Sequence, residues 1–153
     1  KYYADFLFVY NASMSIWFKD YKIDDFSLSI NIDKLLEIEF VEIGDNYLKA
    51  KMPVNEKTRQ PLGLLHGGAS CVLAESTASC AAYLTVDPSK KTVVGLNLTA
   101  NHIKSVTEGI VYAIASPNHI GKSTSVWDVK IENEEGNLIS RIVFTAMHKD
   151  INL

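Results

Sequence analysis

The chain has 153 residues, of which 47% are hydrophobic and 22% charged, and its net charge is −3. This length suits one domain, and the composition is that of a globular protein with a hydrophobic core. The 15 lysines and arginines are scattered along the chain, so no basic face indicates a nucleic-acid or anionic-membrane partner.

The amino-terminal segment, residues 1–13, is rich in aromatic side chains. It lacks the long apolar run of a signal peptide or a transmembrane helix. Because Met14 and the residues after it are typical of a natural start, we interpret residues 1–13 as either a cloning remnant or an upstream extension. Residues 14–153 are expected to form a single domain.

Two strands are predicted before the first long helix. After a polar stretch with a short helix around residues 23–28, residues 35–41 alternate, with Leu36, Ile38 and Phe40 on one face. Gly44 and its neighbours form a turn, and residues 47–52 follow as a second strand.

A single helix is predicted from Gly67 to about Val86, because this segment is dense in small residues and lacks proline. Asp87 and Pro88 end it. Four strands follow, at residues 92–103, 109–117, 123–132 and 138–148, with a turn at residues 133–137 between the last two. One helix among six strands excludes βαβ repeats. It predicts an α+β fold in which an antiparallel sheet wraps around one central helix.

The two cysteines, Cys71 and Cys80, lie nine residues apart in this predicted helix. They should point to opposite sides, roughly 13 Å apart along the axis, which is too far for a disulfide. Free thiols are typical of a reducing compartment, so we expect a cytoplasmic protein.

Glu75 is the only charged residue between His66 and Asp87. On a helical wheel it lies among small side chains, including Cys71 and Ser79, and opposite a sheet-facing stripe of Leu73, Thr77, Cys80 and Leu84. A helix with so few charges is expected to be buried nearly all round. Burial would raise the pKa of Glu75 and favour a functional role. The alternative is a carboxylate paired with a lysine or arginine at a subunit interface.

The amino end of the helix carries unpaired N–H groups and the positive end of the helix dipole. Gly67 allows a ligand carbonyl to approach the backbone, so its N–H is a candidate oxyanion donor about two turns from Glu75. In the alternative reading, His66 and the glycines only shape the start of the helix. The Gln60 amide could orient a carbonyl or a water, or it could be an ordinary polar loop residue.

Several blocks of sequence resemble a known family. They are QPLGLLHGGAS at residues 60–70, LAES at 73–76, VVGLNLTANH at 93–102, PNHIGK at 117–122 and the Val126-Trp127 pair. In order and spacing they resemble the hotdog-fold thioesterases of the phenylacetate-pathway type. The similarity spans about residues 35–148 and is closest to 1,4-dihydroxy-2-naphthoyl-CoA hydrolases and their proofreading relatives of siderophore synthesis.

The resemblance implies a hotdog fold and the hydrolysis of an aryl-type acyl-CoA. The substrate would be 1,4-dihydroxy-2-naphthoyl-CoA of menaquinone synthesis, or a phenylacetyl- or benzoyl-type CoA. Glu75 would act as general base or nucleophile, and the Gly67 N–H would polarise the thioester carbonyl. Gln60 and His66 would position the carbonyl and the attacking water, and Ser79 would assist. Members of the family usually form dimers paired into tetramers, with the site between two subunits.

The resemblance also implies two segments that bind coenzyme A, with His102, Lys104 and Ser105 in one and His119, Gly121, Lys122 and Ser123 in the other. Lys104 stands where the family commonly has an arginine. It keeps the charge but loses bidentate phosphate contact. The stretch from Tyr21 to Lys34, which would shape the acyl pocket, is shorter than in the closest relatives.

Other functions have less support in the sequence. A hotdog dehydratase or hydratase usually has a proline-containing histidine motif, unlike His66-Gly67-Gly68. The other alternative is a non-catalytic acyl-CoA-binding protein. Such sensors tend to carry a DNA-binding segment, and residues 1–34 have neither its helices nor its charge. We expect no metal and no separate cofactor, because the four histidines are dispersed without metal-site spacing. A serine nucleophile is unsupported, since no GxSxG motif occurs.

Overall fold

The computed structural model describes residues 15–26 and 30–151. A 3₁₀ turn at Ile23–Asp25 and helix α1 at Asn31–Leu35 come first. Strands β1 (Glu39–Ile43) and β2 (Leu48–Pro53) precede the long helix α2 at Gly67–Leu84. The remaining strands are β3 (Lys91–His102), β4 (Ile110–Ile120), β5 (Thr124–Asn133) and β6 (Leu138–Asp150). The prediction that residues 1–13 form a separate extension lies outside the described residues.

The six strands form one antiparallel sheet in the order β1-β2-β4-β5-β6-β3. Helix α2 contacts strands β2 to β6, so the sheet wraps around it. This confirms the predicted α+β hotdog architecture. Strand β3 lies at one edge of the sheet, next to β6.

The core lies between α2 and the inner face of the sheet. Its largest fully buried side chains include Trp127 and Phe144 from the sheet and Leu73 and Leu84 from the helix. Four helix alanines, at positions 74, 78, 81 and 82, are also buried. These small side chains let the curved sheet approach the helix closely. Of the four residues predicted to face the sheet, Leu73, Thr77 and Leu84 are buried and Cys80 is half-buried.

The predicted boundary of the first strand was wrong. Leu35 is the last residue of α1, and β1 begins only at Glu39. The chain turns between them, because Leu36 caps the helix and Glu37 has a φ of 59° in the left-handed region. The alternating pattern had joined the end of a helix to the start of a strand.

Strand β4 continues three residues beyond its predicted end at Pro117. Its register with β5 shifts between Pro117 and His119. Proline lacks a backbone donor, and a bulge accommodates it within the sheet. His119 is thereby kept within the strand.

Candidate functional site

The amino end of α2 is capped by a side chain of the predicted motif. His66 is the N-cap residue, and its Nδ1 accepts a hydrogen bond from the Gly68 N–H at 2.8 Å. The neutral imidazole therefore carries its proton on Nε2. Within the described part of the chain, the Gly67 N–H has no hydrogen-bond partner. The helix thus presents a free donor at the positive end of its dipole.

A cavity of about 310 Å³ opens beside this helix end. Five of the residues predicted from the sequence line it, namely Gln60, Gly67, His102, Lys104 and Ser105, together with Leu64, Leu65, Ser70, Ile103, Ile139 and Ser140. The structure therefore brings together residues from the loop before α2, the helix end and the end of β3. Apolar and polar groups share this wall, as in binding sites for small molecules.

The loop that carries Gln60 is held by short-range hydrogen bonds. The Gln60 side-chain oxygen accepts from the Leu62 N–H, and the Gln60 N–H donates to the Leu64 carbonyl at 2.8 Å. Because its oxygen is already used within the loop, the Gln60 side chain offers its NH₂ group as a donor. Gln60 and Gly67 can therefore both donate toward the cavity.

His102 lies directly against Gly67. A Cβ on Gly67 would lie only 2.6 Å from His102 Nε2, so a side chain at position 67 would collide with the ring. The other ring nitrogen, Nδ1, lies 2.9 Å from the Ser140 hydroxyl oxygen. Only glycine at position 67 accommodates this packing.

Glu75 lies two turns along α2 and is exposed in the single chain. Its Oε1 lies 2.7 Å from the position that a Cβ on Gly95 would take, so the carboxylate rests against the backbone of β3. The expectation of all-round burial was wrong for the isolated chain. This face of α2 lies beside the edge strand β3, and no further strand in residues 15–26 and 30–151 covers it. Ser79, one turn onward, is half-buried.

The two cysteines are free, as predicted. Burial raises the pKa of the Cys80 thiol to about 12, and the nearby Asp33 adds to this effect. Burial also raises the pKa of Cys71, as does the Glu75 carboxylate one turn away on the helix. Both thiols are therefore poor nucleophiles near neutral pH.

The second predicted CoA-binding segment lies elsewhere. Gly121 and Lys122 border a different cavity of about 270 Å³, formed with the carboxyl end of α2 and the residues after it. This helix has 18 residues and is therefore about 27 Å long. The structure does not bring His119, Gly121, Lys122 and Ser123 to the first cavity within one chain.

The hairpin between β4 and β5 is tightly organised. A Cβ on Gly121 would lie 2.7 Å from His119 Nε2 and 3.0 Å from the Thr124 carbonyl oxygen. The Lys91 ammonium donates to the Lys122 carbonyl at 2.6 Å, and the His148 N–H donates to the Ser123 carbonyl at 2.8 Å. Strands β3 and β6 thus fix the shape of this hairpin.

Sequence reasoning missed three residues that organise these regions. Ser140 contacts His102, Gly95 makes room for Glu75, and buried His148 hydrogen-bonds Ser125 at 2.9 Å. Each contact depends on which strands are neighbours, so no local pattern indicates it. For Gly95, the position within the VVGLN block was the only available signal.

No group of three or more His, Cys, Asp or Glu side chains in residues 15–26 and 30–151 is arranged to hold a metal ion. Within the same ranges, no helix has the length and apolar character needed to cross a membrane.

The family model described as the thioesterase superfamily matches residues 62–140. This range includes Glu75 and the glycines that line the two cavities, Gly67 and Gly121. The chain belongs to the thioesterase superfamily. It is 49% identical to the 1,4-dihydroxy-2-naphthoyl-CoA hydrolase of Escherichia coli over 108 residues, covering 71% of this chain and 79% of that protein. A proofreading thioesterase of Cronobacter turicensis is 44% identical over 101 residues, covering 66% of this chain and 73% of that protein.

Solved structures agree with this assignment. A mutant thioesterase from Pseudomonas aeruginosa superposes with a TM-score of 0.86 at 39% identity, covering 90% of this chain and all of that one. A thioesterase from Haemophilus influenzae gives a TM-score of 0.85 at 36% identity, covering 88% and 95%. The protein is therefore a hotdog-fold thioester hydrolase, and the dehydratase and binding-protein alternatives are set aside.

Proposed function

We propose that this thioesterase hydrolyses an aryl-type acyl-CoA at the cavity beside the amino end of α2, with 1,4-dihydroxy-2-naphthoyl-CoA as the first candidate. Phenylacetyl- and benzoyl-type CoA are the other candidates. The observation that carries the proposal is the free Gly67 N–H at this helix end. The name of the Escherichia coli relative supports the choice of first candidate. Menaquinone synthesis in the cytoplasm would be the setting.

The Gly67 N–H suits the carbonyl oxygen of the thioester, because negative charge develops on that oxygen when the carbon is attacked. Gln60 and His66 would hold the carbonyl and the attacking water. Coenzyme A is part of the substrate, and the proposed reaction uses no metal or other cofactor.

Glu75 would supply the base or the nucleophile. As a base, Glu75 takes a proton from water, and the hydroxide adds to the carbonyl carbon. Collapse of the adduct expels the CoA thiolate, which takes up the proton held by Glu75. As a nucleophile, its carboxylate adds to the carbonyl carbon and expels the CoA thiolate, which leaves a mixed anhydride. Water then hydrolyses the anhydride to the carboxylic acid and Glu75, and the proton released from that water goes to the thiolate. In both routes one water is consumed, and a carboxylic acid and free CoA thiol are formed.

A single chain does not place Glu75 near the Gly67 donor. The two residues are eight positions apart on one helix, so they lie about 12 Å apart along the axis. We therefore propose that each site combines the Gly67 end of one chain with the Glu75 face of another. Ser79 lies on that same face and would assist there.

The edge strand β3 supports this pairing. Among the described residues it pairs only with β6, and it exposes Val94 and Leu96. A long apolar edge of this kind favours association with a second chain. Antiparallel pairing of two β3 edges about a twofold axis makes the two α2 helices antiparallel. The amino end of α2 in one chain then lies near the carboxyl end of α2 in the other chain.

This arrangement also accounts for the division of the CoA-binding residues. In the proposed pair, His102, Lys104 and Ser105 of one chain approach the side on which His119, Gly121, Lys122 and Ser123 of the other chain lie. Lys104 and Lys122 would act as point charges for phosphate groups, and Gly121 permits close backbone approach. Two such dimers would form the proposed homotetramer.

The substrate assay follows release of free thiol from a panel of acyl-CoAs. We expect the highest kcat/KM on 1,4-dihydroxy-2-naphthoyl-CoA, with benzoyl- and phenylacetyl-CoA below it. Glu75→Ala should abolish release while substrate binding is retained, and Glu135→Ala, in the β5–β6 turn, is the matched control. Tight binding of acyl-CoA without thiol release from any member would contradict the proposal.

The shared site is tested by mixing two inactive variants. Glu75→Gln lacks the carboxylate, and Gly67→Ala collides with His102. After the two variants are mixed under conditions that exchange subunits, hybrid dimers contain one intact site each, so about a quarter of wild-type activity should return. No recovery, with hybrids demonstrated by mass spectrometry, would place both groups in one chain. Light scattering would distinguish the dimer from the tetramer.

A further inference from the structure

His102 and Ser140 form a cross-strand pair at the wall of the first cavity. They are direct partners in the β3–β6 register, and His102 Nδ1 lies 2.9 Å from Ser140 Oγ. Ser140 is only 1% exposed, so this hydroxyl is fixed beneath the ring. Both residues line the cavity.

The ring is oriented with its other nitrogen toward the helix end. His102 Nε2 is the nearest side-chain atom to the Cβ position of Gly67, at 2.6 Å, with the adjacent ring carbons at 3.0 and 3.1 Å. His102 Nε2 therefore lies beside Gly67, the residue with the free N–H, and both residues line the cavity. A carbonyl oxygen bound by the Gly67 N–H would lie within reach of the ring.

The Ser140 hydroxyl can donate to Nδ1 or accept from Nδ1–H. When the hydroxyl donates, the neutral ring carries its proton on Nε2. In that tautomer, the ring presents an Nε2–H donor beside Gly67. The opposite tautomer would present a lone pair that repels a carbonyl oxygen.

We propose that His102 is a catalytic residue that donates from Nε2–H to the thioester carbonyl oxygen beside the Gly67 N–H, and that Ser140 is the positioning residue that sets its tautomer. This inference rests on the proposed hydrolysis of acyl-CoA at this cavity. The proton stays on Nε2 throughout, so His102 stabilises the oxyanion and takes part in no bond making. This role differs from the CoA-binding role that the resemblance implies for His102.

Two substitutions of His102 distinguish the contributions of its two ring nitrogens to catalysis. His102→Gln carries an amide NH₂ near the Nε2 position, whereas the shorter side chain of His102→Asn reaches only the Nδ1 position. Loss of an oxyanion donor lowers kcat about 10²- to 10³-fold. We therefore expect a loss of this size in His102→Asn and a much smaller one in His102→Gln, with little change in KM. A raised KM with wild-type kcat in both variants is the signature of CoA binding, and would overturn the proposal.

The serine is tested with Ser140→Ala and Ser140→Thr, and circular dichroism checks the fold of both. We expect kcat to fall about tenfold or more in Ser140→Ala and to be largely restored in Ser140→Thr, which keeps the hydroxyl. Equal kcat in Ser140→Ala and wild type would refute the positioning role.

A nitrogen-15 NMR measurement reports the tautomer without reference to activity. The His102 ring, assigned by its loss in His102→Gln, should show a protonated Nε2 and an unprotonated Nδ1, and Ser140→Ala should change this pattern. A protonated Nδ1 in the wild-type protein would overturn the inference while leaving thioester hydrolysis untouched. A wild-type protein that releases no thiol from any acyl-CoA would refute the proposed function itself, and this inference with it.

Discussion

Gly95→Ala places a methyl group beside the Glu75 carboxylate. The new Cβ would lie 2.7 Å from Glu75 Oε1 and 3.1 Å from a ring carbon of Phe144. Carbon atoms in contact are normally about 3.5–4.0 Å apart, so both groups must retreat by several tenths of an ångström. The φ of Gly95 is outside the left-handed region, so the effect comes from crowding and not from backbone strain.

The size of the effect follows from these distances. Overpacking a well-packed core costs about 1–3 kcal/mol, and Phe144 is completely buried. Replacing glycine with alanine returns about 0.4–1 kcal/mol by restricting the unfolded chain. We therefore expect the free energy of unfolding to fall by up to about 2.5 kcal/mol. Misplacement of a catalytic group by about 1 Å costs about 10²-fold in rate, so kcat should fall about 10- to 100-fold.

Thiol release measures kcat and KM, and urea unfolding measures stability. If the methyl group acts by displacing the carboxylate, the double variant Gly95→Ala/Glu75→Gln should have the same residual rate as Glu75→Gln alone, because coupled residues are not additive. Val94→Ala is the control, since it alters the same exposed edge without approaching Glu75. Wild-type kcat and stability in Gly95→Ala would refute this reasoning.

Three further predictions concern the stability of the fold. His66→Ala should lose about 1 kcal/mol of stability because the N-cap is missing, whereas His66→Asn should keep the cap. Circular dichroism melts compare the two variants. If the His66 ring also positions substrate, kcat should fall in both. Leu73→Ala should cost about 2–5 kcal/mol in urea unfolding, because Leu73 is fully buried against the sheet; a loss below 1 kcal/mol would show that the core can collapse around it. The pKa of His148 is lowered, first by burial and then by the nearby Lys91 charge. A backbone hydrogen bond with Gly121 raises this pKa and offsets only part of the decrease. The unfolded chain therefore takes up this proton first, so stability should decrease as the pH falls below about 6.5, and His148→Gln should weaken that dependence.

The pattern along the chain was sufficient for the architecture. Small residues without proline predicted the single helix to within two residues at its carboxyl end, and alternating apolar residues predicted the strands. These signals are local, since they depend on side-chain periodicity and on the backbone limits of proline and glycine. They failed at residues 35–38, where the end of α1 and the start of β1 share one alternating pattern.

Some features of the candidate site were also predictable from the sequence, and others were not. The sequence alone singled out Glu75, because it is the one charge in an otherwise uncharged helix, and Gly67, because it begins that helix. Only the tertiary structure showed that Glu75 is exposed beside the edge strand β3 and rests against Gly95. It also brought His102 and Ser140 together, although they are 38 residues apart. Local periodicity reports which face a residue occupies on its own element. Which elements become neighbours depends on the burial of the whole core, and that cooperative outcome alone decided what Glu75 and His102 contact.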